Sequence, residues 1–450
     1  MGLFFGTDGL RGEFGKGITP KISFKVGNSL GLLAKNGKVL IATDTRKSGD
    51  VLALSFASGL MLAGASVTFV GVCPTAGVGF LCAKNGFDFG VVISASHNSA
   101  EFNGIKIFDK NGKKINENIE SEIERNLLVL KEKNHYEVGS FCYDENLIRD
   151  YIDFLKETAK AELENGKDFS LLKIVIDSAN GAASNIAAKI FKELGAEVVQ
   201  VANLPNGTNI NRGVGVMFIS TLQNHVTKHH ADFGFAYDGD SDRVLAVSGD
   251  GKVVDGDQIV YIFAKAYLEK NKLKNKTVVG TVLTNLGVEK ELNDLGIKLI
   301  RANVGDKFVF EELEKNGLLV GGEPAGHVFV CDKLQTGDGI LNSLLLTCLC
   351  VNKNAKLEDL ARVKKSHQKN VNVKVRNKNL IMKSHELQTQ IENENKKLKN
   401  QGRLVVRASG TEELIRIMAE SESESQADYA SKELEKLIKK IDNRGGLCVE

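Results

Sequence analysis

Residues 38–49 read KVLIATDTRKSG, and the pattern returns as LKIVIDSANGAAS at 172–184 and as KTVVGTVLTNLG at 276–287. Each copy opens on a continuous apolar run, which predicts a strand buried on both faces, and then breaks into a small polar loop containing glycine. A helical stretch, a turn and a second β-rich run follow each copy: ASVTFVGV, AEVVQVAN and IKLIRANV. This is a strand-helix-strand unit three times over, and such alternation predicts α/β domains.

Every unit continues through one more helical stretch into a third strand with a polar end. FGVVIS runs into ASHN (95–98), FGFAY into DGDSDR (238–243) and LLVGG into EPAGH (323–327). Ligands of open α/β sheets bind beyond the carboxyl ends of strands, so these loops are expected to be three walls of one site. Beyond residue 352 the pattern changes. Val371, Val373 and Val375 alternate, a polar helix runs to about Asn400, and GRLVVRASGTEELIRIM precedes a last helix with Ala427, Ala430, Leu434, Leu437 and Ile441 on one face. The expected fold is three similar α/β domains with mixed sheets, at 1–148, 149–254 and 255–368, and a C-terminal α+β domain at 369–450.

A chain of 450 residues exceeds one ordinary core. Its net charge of +2 gives no ground for a nucleic-acid or membrane partner, and none is expected. Residues 51–73 carry no charge and are long enough to span a bilayer, but they divide into a helix to about Ala63, a break at Gly64 and a β-branched strand. The seven cysteines form no CxxC pair, Cys348 and Cys350 read as core filler, and the N-terminus lacks signal-peptide character, so a reduced, cytoplasmic protein is expected.

Asp238, Asp240 and Asp242 alternate with Gly239 and Ser241, a spacing that in extended backbone points three carboxylates to one side. Such a group requires a cation, and hard oxygen ligands select Mg²⁺ or Ca²⁺. A calcium EF-hand loop is ruled out, since Arg243 and Gly249 stand where it needs Gly and Glu. The position left open suits a phosphate oxygen. Ser96 ends a buried strand, and His97 and Lys106 are the nearest candidates for acid and base work. Arg11 sits in a glycine-bracketed loop, and Arg46 and Lys47 follow a strand. In RASGTEE, Arg407 offers a fork for an oxyanion while Ser409, Gly410 and Thr411 offer hydroxyls and backbone N–H groups, with Arg416 on the next strand. Glu323 can accept from vicinal sugar hydroxyls and His327 can donate. Neither a Walker A loop nor a dinucleotide GxGxxG turn is present, which counts against nucleotide-dependent kinases and dehydrogenases.

SASHN with Asn103-Gly104-Ile105-Lys106, DGDSDR, GEPAGH and RASGTE, in this order, resemble the α-D-phosphohexomutase superfamily, and FGTDGLRG with TGDG (336–339) is similar to its bacterial amino-sugar branch. The resemblance covers essentially the whole chain. It implies three α/β domains and a TATA-binding-protein-like fourth domain around a central cleft. It implies a phosphoryl group on Ser96, and one Mg²⁺ held by that group with Asp238, Asp240 and Asp242. His97 and Lys106 match the positions that take the proton from the attacking hydroxyl, and Arg11 and Arg243 stabilise charge. The resemblance also implies that Glu323 and His327 hold the sugar of a phosphosugar substrate, that the 407–416 loop holds its distal phosphate, and that the assembly is a homodimer. The implied reaction interconverts glucosamine 6-phosphate and glucosamine 1-phosphate for cell-wall precursors. Departures from the motifs fall at Ser99, Pro324, Ala325 and Ala408, and at VMFIS (216–220).

Overall fold

The three repeated apolar runs are strands, Lys38–Thr43, Lys173–Asp177 and Thr277–Thr281, and their central residues are fully buried in this computed structural model. The structure describes residues 5–6, 8–128, 137–164, 166–398, 401–409 and 413–445. The chain forms two units, Met1–Val279 with Gly305–Arg362, and Gly280–Val304 with Val363–Glu450.

In the first unit a six-stranded sheet runs in the order Phe141–Tyr143, Ser66–Val72, Lys38–Thr43, Phe89–Ile93, Phe102–Asp109, Leu10–Glu13. Its first four strands are parallel, Phe102–Asp109 runs antiparallel to them and Leu10–Glu13 antiparallel to Phe102–Asp109, so the sheet is mixed. A second sheet repeats the scheme with Glu197–Val201, Lys173–Asp177 and Phe233–Tyr237 parallel, then Val244–Ser248 and Val253–Val254 antiparallel. The third repeat shows the same two pairings. Val279 lies parallel to Gly321, and Val320–Gly322 pairs antiparallel with Val328–Val330. The first and third strands of every repeat therefore point the same way, and each third strand delivers its polar loop at a carboxyl end.

The uncharged stretch 51–73 is a helix, Gly49–Leu62, followed by the strand Ser66–Val72, as its Gly64 break predicts. Its small residues have a packing cause. A Cβ on Gly27 would stand 2.1 Å from the Phe56 carbonyl oxygen, and one on Gly59 would stand 2.1 Å from that of Phe24, so this helix and Pro20–Ala34 touch backbone to backbone. Among the described residues no helix is long and apolar enough to cross a membrane. Cys348 and Cys350 are buried in the helix Gly339–Lys353. Asp338 of TGDG caps that helix, accepting from Ile340 N and Leu341 N at 2.9 and 3.0 Å.

The second unit holds an antiparallel sheet, His367–Lys374, Leu414–Ser421 and Gly402–Ala408, with the middle strand central. Val373, Leu404, Ile415 and Ile417 pack there with Leu387 of the helix His385–Leu398 and with Ala430 and Leu434 of Glu424–Gly445. The helix Leu286–Asp294 also belongs to this unit. Buried Glu420 ties it to the sheet, accepting from Leu286 N and from Arg403 Nε at 2.8 Å each.

Candidate active site

The strand Phe89–Ile93 carries Ser96 just past its end, and there the backbone enters the left-handed region at φ 51°. A non-glycine residue holds that conformation only when its surroundings impose it. They do so through a buried network. Ser96 N donates to Ser94 Oγ at 2.9 Å, and Ser94 Oγ donates to Asp44 Oδ2 at 2.6 Å. Arg46 Nε pairs with Asp44 Oδ2 at 2.9 Å, and the same guanidinium donates to the carbonyl oxygens of Ser96, Asn98 and Phe102 at 3.0, 2.8 and 3.0 Å. Asn211 Nδ2 adds bonds to the Ser96 and Asn98 carbonyls at 2.8 and 2.9 Å. Arg46, grouped by sequence with the loop cations, is thus spent on the protein's own backbone, while Lys47 is exposed.

Ser96 Oγ donates to Asp238 Oδ2 at 2.6 Å. Asp238, Asp240 and Asp242 are buried, with one oxygen of each within 4.8 Å of the others. They converge for a different reason than the one their alternation suggests. The loop is a turn, with Ser241 N bonded to the Asp238 carbonyl at 3.1 Å and Ser241 at φ 61°, whereas an extended strand would have kept them in a row. Burial, then the charges of Asp242 and Asp240, pushes the Asp238 carboxyl well above the usual range. Burial would raise Asp242 too, but Lys106 and His327 hold it low. Lys106 Nζ lies 2.8 Å from Asp240 Oδ2, 2.7 Å from Asp242 Oδ2 and 3.2 Å from Asp8 Oδ2. Thr75 Oγ1 also donates to Asp240 Oδ2, at 2.5 Å. Asp240 Oδ1 and Asp242 Oδ1 are buried and, among the described residues, lack a hydrogen-bond partner. Two such oxygens beside a third carboxylate fit a hard divalent cation.

Around this core stand the remaining polar groups. Burial, then the charges of Arg243 and Arg11, hold the His97 imidazole down at about 3, so it is neutral near pH 7, with Nδ1 3.4 Å from Ser96 Oγ. Arg11 donates to Asp8 and, at 3.4 Å, to Asn98 Oδ1. Burial would lower Arg243, but Asp238, Asp242 and Glu323 keep it firmly charged. Among the described residues the buried Nε groups of Arg11 and Arg243 have no hydrogen-bond partner, which suits them to an anion. Lys106 is likewise raised despite burial, by Asp240, Asp242 and Asp8. In this arrangement it is a fixed ammonium, and His97 is the free base of the two.

The third loop is a β-turn in which Gly326 N donates to the Glu323 carbonyl at 3.0 Å. Pro324 takes the second position, where its fixed φ is favoured and no N–H is needed. Ala325 is exposed. Glu323 Oε1 accepts from Gly305 N at 2.9 Å, and burial with the Asp306 charge raises its carboxyl. His327 is buried, with Nδ1 3.7 Å from Asp242 Oδ1 and Nε2 3.6 Å from Asp306 Oδ2. Gly337 of TGDG lies against this ring, since a Cβ there would stand 2.2 Å from Nε2.

The first unit therefore gathers Ser96, His97, Lys106, Arg11, the three aspartates, Arg243, Glu323 and His327. Arg407, Ser409 and Arg416 belong to the second unit, where the strand register sets Arg407 opposite Arg416. Gly410 and Thr411 lie outside the described residues. Sequence reasoning passed over Asp8, inside FGTDGLRG, and had no signal at all for Lys114 or Asp306. Lys114 Nζ bridges the carboxylates of Asp8 and Asp306.

Models of the phosphoglucomutase/phosphomannomutase family match along the chain: alpha/beta/alpha domains I, II and III at residues 2–134, 149–251 and 255–366, and the C-terminal domain at 371–437. A phosphoglucosamine mutase of Caldicellulosiruptor bescii is 42% identical over 452 residues, covering 97% of this chain and 99% of that protein. One from Clostridioides difficile is 39% identical, with the same coverage of 97% and 99%. Among solved structures, a phosphoglucomutase/phosphomannomutase family protein of Burkholderia thailandensis superposes with a TM-score of 0.78 at 22% identity, covering 96% of this chain and 97% of that one. Aspergillus fumigatus N-acetylphosphoglucosamine mutase, solved with GlcNAc-6P and magnesium, gives 0.69 at 17% identity, covering 98% and 96%. With the four domain models in order and curated relatives near 40% identity along nearly its whole length, the chain belongs to the phosphoglucosamine mutase family of phosphohexomutases, and is an isomerase.

Proposed function

We propose that this chain interconverts glucosamine 6-phosphate and glucosamine 1-phosphate, with Ser96 passing the phosphoryl group to and from the sugar. The observation that carries the reading is Ser96 Oγ held 2.6 Å from Asp238 Oδ2, beside two carboxylate oxygens without partners and a neutral imidazole at 3.4 Å. Asp238, Asp240 and Asp242 would hold one Mg²⁺. Bound there with a phosphoryl group on Ser96, it supplies neutralising charge at the transferable group.

The chain's own residues do the rest. Arg11 and Arg243 turn unpartnered N–H groups toward oxyanion charge. His97 accepts the proton of the attacking sugar hydroxyl, which its neutral form permits, while Lys106 remains a cation beside the reacting centre. Glu323 and His327 select the sugar hydroxyls. Arg407, Ser409, Gly410, Thr411 and Arg416 hold the phosphate that is not reacting. The four expected domains, divided after residues 148, 254 and 368, each contribute one loop to this scheme, and the assembly proposed is a homodimer, tested by light scattering of the eluted protein.

Coupled assays with glucosamine, glucose and mannose phosphates test the substrate. Turnover is expected with the glucosamine ester, and turnover of glucose or mannose esters alone overturns the assignment. That second reading, a phosphoglucomutase/phosphomannomutase, has one observation in its favour: the exposed Ala325 brings no hydroxyl to the sugar loop.

A further inference from the structure

Six side chains close a ring through the site, with carboxylates and nitrogen groups in strict alternation. Asp242 Oδ2 lies 2.7 Å from Lys106 Nζ, which lies 3.2 Å from Asp8 Oδ2. Asp8 Oδ1 accepts from Lys114 Nζ, which also donates to Asp306 Oδ2. Asp306 Oδ2 faces His327 Nε2 at 3.6 Å, and His327 Nδ1 returns to Asp242 Oδ1 at 3.7 Å. Lys114 stands opposite Asp242 in this ring, and among the described residues its ion pairs are with Asp8 and Asp306. It stands on a short return behind Asp109, where Asp109 N bonds to the Lys113 carbonyl at 2.7 Å and Ile115 N to that of Ile107 at 3.1 Å. This return lays it alongside the strand Phe102–Asp109 that carries Lys106.

We propose that Lys114 is a positioning residue of the mutase reaction: by bridging Asp8 and Asp306 it fixes Lys106 and His327 on either side of Asp242. The proposal rests on the function given above. Without the bridging ammonium, half-buried Asp8 and buried Asp306 become two carboxylates competing for Lys106 and His327, and both of those groups shift. Reaction geometry is sensitive to displacements of about 1 Å, so rate suffers while substrate contacts survive. Lys114 and Asp306 also line a cavity of about 360 Å³, which gives a small amine access to the place a truncated side chain vacates.

The test is steady-state kinetics on the full-length, Mg²⁺-loaded enzyme with glucosamine 6-phosphate. Lys114→Ala is expected to lower kcat by about 10- to 100-fold with KM within about threefold, Lys114→Arg to restore most of it, and added propylammonium to restore part. Asp306→Asn should reproduce the loss, and the double variant should be no worse than the poorer single one. Lys113→Ala, its neighbour paired with Glu314, should match the wild type. A KM rise above about tenfold at unchanged kcat would make Lys114 a substrate ligand and overturn the proposal, as would additive single effects. If Lys114→Ala does not fold, Lys114→Arg and Asp306→Asn carry the test. An inactive wild type removes the mutase reading, whereas an undisturbed Lys114→Ala beside an active wild type removes only this one.

Discussion

The Lys106 ammonium lies 2.7 Å from Asp242 Oδ2, inside the aspartate cluster that would take a divalent cation. A lysine there already neutralises charge that Mg²⁺ would neutralise, so metal binding is expected to stabilise the wild type less than a variant lacking that charge. In Lys106→Met, buried carboxylates are left unpaired, a loss of about 3–5 kcal/mol when no metal is present. Mg²⁺ should therefore raise the Tm of Lys106→Met more than that of the wild type in thermal scans with and without EDTA. Equal increments would mean that lysine and metal do not share the site.

The left-handed backbone at Ser96 separates two ways of deleting its hydroxyl. Ser96→Ala and Ser96→Gly lose the same bond to Asp238 and should both lose activity, but glycine alone is at ease at φ 51°. Ser96→Gly is expected to be more stable than Ser96→Ala by about 1 kcal/mol in urea titration. The reverse order would show that the backbone there relaxes freely. Mass spectrometry of the wild-type peptide containing Ser96 should show a phosphorylated fraction that both variants lack.

Arg46 holds the Ser96 loop through the carbonyl oxygens of Ser96, Asn98, Ser99 and Phe102 and through Asp44. Arg46→Met strands Asp44 as a buried carboxylate and is expected to cost about 3–5 kcal/mol of stability. Adding Asp44→Asn should recover part of that loss, while activity stays low because the loop is unbraced. Full activity in the single variant would show that the loop keeps its shape unaided.

Burial raises the Asp338 carboxyl to about 6, against the pull of Leu341 N–H and the Tyr151 hydroxyl. The folded state therefore binds a proton more readily than the unfolded one. This contribution to stability is full below pH 4 and fades as pH rises through 6, at about 1.4 kcal/mol per pH unit in between. Asp338→Asn keeps the helix cap and removes the proton, so its stability should lose this slope between pH 4 and 6 in denaturant titrations. An unchanged slope would assign the titration to another group.

How much of this was legible in the sequence follows from how far apart the partners stand along the chain. Strands buried on both faces leave uniform apolar runs, so the repeats and their polar ends could be read directly. The three aspartates were readable because they are neighbours, although a turn rather than strand alternation brings them together. Arg46 reads in the sequence only as a cation after a strand, because burial of a guanidinium against carbonyl oxygens leaves no local pattern. The Lys114 bridge was invisible, since its two carboxylates lie 106 and 192 positions away. Pro324 stood out as a departure only until the turn showed that its place needs no backbone donor.

That turn has a consequence for how the family can diversify. Main-chain bonds hold it, from Gly256 N to the Pro324 carbonyl and from Val244 N to that of Gly326, both at 3.1 Å, while the side chain of Ala325 is left to solvent. The contour of the hairpin thus survives a change of side chain at its tip. Substitutions at this position can change the face that the loop presents without loosening the scaffold beneath, so this tip can drift while Ser96 and its neighbouring carboxylates stay as they are.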